Sequence, residues 1–104
     1  MVTVRVPAAE IPPGESRRFV FDGRQVCVVN LGAEGFRAID DICSHAEAYL
    51  HEGEVDVDEE AIECPRHGST FDLNTGKPVT LPATLPVDRY DTTMDGTDVQ
   101  IEVT

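Results

Sequence analysis

Val2, Val4 and Val6 alternate with Thr3 and Arg5, the two-residue period of a strand with one buried face, and Pro7 ends the run. After the connection Pro12-Pro13-Gly14, residues 16–21 and 25–31 read as two further strands. Asp22-Gly23 between them marks a hairpin, because glycine accepts the positive φ of a tight reversal. A turn over residues 32–35 then leads into a strand at 36–39, so the first forty residues predict an antiparallel meander.

From Asp40 the alternation breaks. Ala46-Glu47-Ala48-Tyr49-Leu50 suits one helical turn, too short to stand alone. Residues 52–60 are crowded with acids around Gly53, Val55 and Val57, which predicts a short exposed strand and turn. Residues 61–63 form the strand that delivers Cys64, and 70–73 with 77–79 form a small hairpin about Asn74-Thr75-Gly76. Pro78, Pro82 and Pro86 deny their segment ladder hydrogen bonds and predict an extended loop. Residues 87–92 and 98–103 flank Asp95-Gly96 as a last hairpin. The fold class is all-β, in one domain.

Charge narrows the function. Twenty acids against eight bases in 104 residues give a net charge of −12, which repels phosphate backbones and argues against nucleic acid as a partner. It keeps a small protein in solution and steers it toward basic patches on others. The amino terminus has no basic stretch followed by an apolar run, and no segment has the length and apolarity of a membrane span. Three cysteines, an odd number, argue against a disulfide framework and for a reducing compartment. A soluble, cytoplasmic protein without a membrane partner is the expectation.

The candidate chemistry lies in residues 41–73. Cys43 and His45 form a C-x-H pair; after eighteen intervening residues Cys64 and His67 form a C-x-x-H pair. Thiolate suits iron–sulfur centres and zinc, and imidazole suits iron, zinc and copper, so these four groups, converging on one point, would bind a metal. Gly68-Ser69 and Phe71-Asp72 follow the second pair.

With that continuation the segment resembles the Rieske iron–sulfur family, and the remaining expectations follow from the resemblance. Cys43 and Cys64 are implied to bind one iron of a single [2Fe–2S] cluster, and His45 and His67 the other. A Rieske-like antiparallel sandwich or barrel is expected from both termini, with a small cluster-binding subdomain inserted at about residues 41–82 and a proline loop at 81–83 over the cluster. The cysteine side faces inward and the histidine edges reach the surface. Gly68 allows close backbone approach, and Ser69 donates toward a bridging sulfide. Neither loop carries the extra cysteine of the respiratory proteins, and Phe71 stands where they have a tyrosine. The expected potential is therefore in the lower half of roughly −150 to +300 mV, which a redox titration reads directly.

Such a site moves one electron at a time and has no place for a substrate. The resemblance implies a carrier between a flavin-dependent reductase and a terminal non-haem iron oxygenase, not a catalyst in itself. The chain is too short for the oxygenase's own iron site and has no G-x-G-x-x-G motif. The small subunit of a nitrite reductase, an accessory to iron–sulfur assembly and a structural zinc module are the alternatives. Three further residues carry plain expectations: Cys27 a buried core thiol, His51 an exposed polar group outside the ligand pattern, and Arg66 a residue that tunes the site, contacts a partner or pairs with a carboxylate.

Overall fold

The computed structural model describes residues 2–44, 47–66, 68–81 and 83–103. Within them run ten strands: β1 (Val2–Pro7), β2 (Ser16–Phe21), β3 (Arg24–Asn30), β4 (Phe36–Asp40), β5 (Val55–Asp56), β6 (Ala61–Glu63), β7 (Thr70–Asp72), β8 (Arg89–Tyr90), β9 (Thr92–Asp95) and β10 (Asp98–Val103). They form three sheets, in the orders β1-β10-β9, β2-β3-β4-β8 and β5-β6-β7, with every neighbouring pair antiparallel.

The sequence pattern accounts for most of these elements, with three differences. The first strand is not part of the opening meander; it pairs with β10, Val4 opposite Ile101, so two strands of matching alternation close the molecule by its ends. The expected strand at 87–92 is split between sheets. Tyr90, almost fully buried, pairs with Ala38 on β4, while Thr92 pairs with Ile101 on β10. The chain changes sheets at Asp91, whose carbonyl accepts the Glu102 N–H at 3.0 Å. The helical turn expected at 46–50 is displaced. Ala46 lies outside the described residues, Tyr49 is extended and bridges Ile42, and a single 3-10 turn follows at Leu50–Glu52.

β3 is the axis of the fold. Its apolar run does not alternate with polar residues because both of its faces are covered. Val26 and Val28 enter one core with Val6, Ile11, Tyr90, Val99 and Ile101, between the two larger sheets. Cys27 and Val29 enter a second core with Ile39, Leu50, Ile62, Cys64, Phe71 and Leu73. The small sheet β5-β6-β7 and its loops are packed on that second core. Cys27 is fully buried, as expected, and burial pushes its thiol well above the usual range, with the nearby Asp41 carboxylate adding to the shift and a hydrogen bond with Ser16 opposing it.

Candidate metal centre

The first ligand segment leaves the end of β4 as a wide, closed loop. Asp41 donates its N–H to the Gln25 carbonyl at 2.9 Å, and its own carbonyl accepts the Leu50 N–H at 2.6 Å. Between these ends Ile42 bridges Tyr49, and the Cys43 N–H donates to the Ala48 carbonyl at 3.0 Å. Cys43 is therefore held at a fixed place on the inner side of the loop, buried in the second core. The next residue fastens the loop elsewhere: the Ser44 hydroxyl donates to the Leu85 carbonyl at 2.5 Å, on the proline-rich segment.

The second segment is tighter. β6 runs directly into Cys64, whose N–H donates to the Ser69 carbonyl at 2.6 Å while its carbonyl accepts the Gly68 N–H at 3.1 Å. Gly68 takes φ +76°, a left-handed conformation that explains glycine here. Ser69 is fully buried, and its hydroxyl oxygen accepts the Ala83 N–H at 3.0 Å, drawing the proline segment over the loops. A hydroxyl that accepts in this way still has its hydrogen to donate. Phe71, also fully buried, fills the core directly beneath.

The two loops thus carry Cys43 and Cys64 into one apolar cluster with Phe71, Leu73, Leu50 and Ala83. His45, His67 and Pro82 lie outside the described residues. Two cysteines brought from distant parts of the chain into one buried apolar cluster, each on a backbone-fixed turn, suit a group that binds thiolate. The donor set fits an iron–sulfur cluster.

The sequence pattern of the Rieske [2Fe-2S] domain matches residues 2–91. This chain belongs to the Rieske [2Fe-2S] domain family. Its relatives sharpen the assignment. The 3-phenylpropionate/cinnamic acid dioxygenase ferredoxin subunit of Shigella boydii serotype 4 (strain Sb227) is 39% identical over 97 residues, covering 93% of this chain and 89% of the relative. The solved ferredoxin of carbazole 1,9a-dioxygenase from Nocardioides aromaticivorans IC177 is 40% identical with a TM-score of 0.91, and 97% of each chain is covered. A second solved structure, a complex of reduced oxygenase and oxidized ferredoxin in carbazole 1,9a-dioxygenase, matches at 33% identity and a TM-score of 0.86 over 95% of this chain and 91% of the other. This Rieske domain is accordingly a ferredoxin, an electron carrier holding one [2Fe-2S] cluster and not a catalyst by itself, and the zinc alternative falls. Among the described residues no helix is long and apolar enough to cross a membrane.

Other residues singled out in the sequence behave less uniformly. Arg66 is exposed, and its guanidinium reaches the Glu47 carbonyl at 3.5 Å, joining the two loops across the tip. His51 corrects the expectation of an exposed polar side chain. Its ring is three-quarters buried, with Nδ1 2.7 and 2.9 Å from the two oxygens of the fully buried Asp41 carboxylate. Sequence reasoning also missed a polar network behind the site. Tyr90 donates its hydroxyl to Asp40 at 2.5 Å and accepts from Arg24 at 2.8 Å. Burial and the Asp40 carboxylate push the Tyr90 phenol up to about 12, against the pull of Arg24. The only signal for either group was the pair of adjacent carboxylates, Asp40-Asp41, at a strand end.

Proposed function

We propose that Cys43 and Cys64 hold one iron of the cluster and His45 and His67 the other, within a single Rieske domain whose cluster-binding subdomain spans about residues 41–82. The observation that carries this reading is the convergence of the two buried cysteines, each at the start of a backbone-closed loop, in one apolar core. When bound, the cluster supplies a place for one electron at a time, stabilised by two neutral imidazoles in place of two thiolates.

The chain's own residues do the rest. Phe71, Leu50 and Ala83 keep water from the sulfur side, and the Cys43 and Cys64 N–H groups fix the turns that present the ligands. Around the tip Ile42, Tyr49, Leu81 and Leu85 are exposed, an apolar rim in a chain of net charge −12. The reading extends to partners: in the cytoplasm the protein takes electrons from a flavin-dependent reductase and delivers them to a terminal non-haem iron oxygenase. Support comes from relatives named as dioxygenase ferredoxin subunits and from the solved ferredoxin–oxygenase complex. The acid excess steers encounter, so turnover with such partners falls as salt rises.

Protein purified without air and reduced with dithionite tests the ligand set. The expected electron paramagnetic resonance signal has the low average g value of mixed nitrogen and sulfur ligation, and His67→Cys shifts it toward the all-cysteine type and lowers the midpoint potential. An unchanged spectrum in that variant would refute the assignment.

A further inference from the structure

A buried carboxylate close to a metal ligand needs a reason, and Asp41 is fully buried two residues before Cys43. It accepts the His51 backbone N–H at 2.8 Å on one oxygen and faces the His51 Nδ1 at 2.9 and 2.7 Å with both. An acceptor carboxylate faced in this way by the backbone N–H and the ring Nδ1 of one residue grips that residue at two points. These bonds join the first residue of the ligand loop to the residue just past its end. From there the anchorage continues into the sandwich. Asp41 N–H donates to Gln25 of β3, and the His51 carbonyl accepts the Ser16 hydroxyl of β2 at 3.1 Å. Beside them Arg18 lies over the ring of Tyr49, 5.2 Å from its centroid.

We infer that Asp41 and His51 are positioning residues for the first ligand loop, a side-chain clasp that locks both of its ends to the sandwich and holds Cys43 in a single geometry. This rests on the reading of Cys43 as a cluster ligand. The backbone of residues 41–50 already closes the loop through Leu50 N–H and the Ile42–Tyr49 bridge, so the clasp is not needed to form it. What the clasp adds is rigidity at the ligand, where a carrier that gains and loses an electron has most need of an unchanging frame. Groups that orient a metal ligand from behind change metal retention by about 10- to 100-fold when removed. His51 lines a surface cleft of about 360 Å³ with Glu15, Arg17 and Glu54 and belongs to neither apolar core, so its substitution removes no core packing.

The test compares His51→Ala with His51→Asn, whose side-chain amide restores a donor near the place of Nδ1. Cluster release into a ferrous chelator is followed by visible absorption, alongside the reduced spectrum and the midpoint potential. The expected result is release at least about tenfold faster in His51→Ala, with a broadened reduced signal, and both properties restored toward wild type in His51→Asn. Wild-type release and spectrum in His51→Ala overturn the inference, and so does equal damage in the two variants, including a shared failure to take up the cluster. Uptake by His51→Asn alone supports it. If wild-type protein itself lacks the mixed-ligand signal, the ligand assignment fails instead.

Discussion

The sandwich and the tip that carries Cys43 and Cys64 are held by different forces. In the sandwich, β1 and β10 pair over six residues and β2 and β3 over another six, so ladder hydrogen bonds and the burial of alternate side chains set the structure. In the tip, β5, β6 and β7 have two, three and three residues. Strands this short supply few ladder hydrogen bonds, and individual polar side chains add to the backbone bonds that close the loops. Asp41 receives the N–H of His51, Thr80 that of Thr70, Ser69 that of Ala83, and Asp72 those of Asn74 and Thr75. A repetitive scaffold spreads its stability over many equivalent contacts, whereas a tip built from short strands and closed loops concentrates it in a few. Tip substitutions should therefore disturb the metal out of proportion to their effect on folding.

Phe71 offers the largest break. It is fully buried in the core shared by Cys43 and Cys64, and Phe71→Ala is expected to cost about 3–5 kcal/mol. Ile101→Ala in the sandwich core is expected to cost about 2–5 kcal/mol. Urea melts followed by both circular dichroism and visible absorption separate them: Phe71→Ala loses the cluster at concentrations where the fold persists, while Ile101→Ala loses both together. Coincident loss in both variants would mean that the two lobes form one unit.

Two glycines give a second, smaller contrast. At Gly53 a Cβ would lie 1.6 Å from the Glu63 carbonyl oxygen and 3.3 Å from that of Leu50, so Gly53→Ala must push β6 away just before Cys64. The expected cost is about 3 kcal/mol, with faster cluster loss. Gly23 in the β2–β3 hairpin has φ +82° and no described atom within 4 Å of an added Cβ. Only the left-handed backbone penalises alanine there, by about 1 kcal/mol, and the cluster spectrum should not change. Thermal melts and chelator challenge on the two variants measure the difference.

The same division decides what the sequence reveals. β1, β2, β6 and β10 are legible because alternation or turn residues such as Asp22-Gly23 are local signals. The pairing of β1 with β10 is not local: both edges of a meander look alike along the chain, and only closure of the core between sheets selects the partner. Nor is the division of residues 87–92 between two sheets, which follows from burying Tyr90 under β4. The two cysteines stand out in the sequence by spacing, and both are buried in the second core, which also holds Cys27. His51 was misjudged because a lone histidine six residues past His45 has no pattern; its partner lies ten residues back, brought near only by the loop.

Tyr90 supplies the smallest effect and the sharpest distinction. Its hydroxyl joins Asp40 and Arg24, so it ties β8 to the end of β4 one residue before Asp41. A phenol raised from 10.0 to about 12 by burial and the Asp40 carboxylate favours folding in its protonated form. That contribution is complete below the unfolded value near 10 and is lost as pH rises through the folded value of about 12. Tyr90→Phe should cost about 1 kcal/mol at neutral pH and remove this part of the alkaline loss, so urea midpoints of wild type and variant converge as pH climbs. The reduced spectrum should stay unchanged in the variant. Asp40 and Asp41 are chain neighbours, yet the first braces the sandwich through a tyrosine and the second holds a ligand loop through a histidine. A Tyr90→Phe protein with an altered spectrum would show that strain at the strand end passes into the ligand loop, and the separation between scaffold and site would be less than the hydrogen bonds imply.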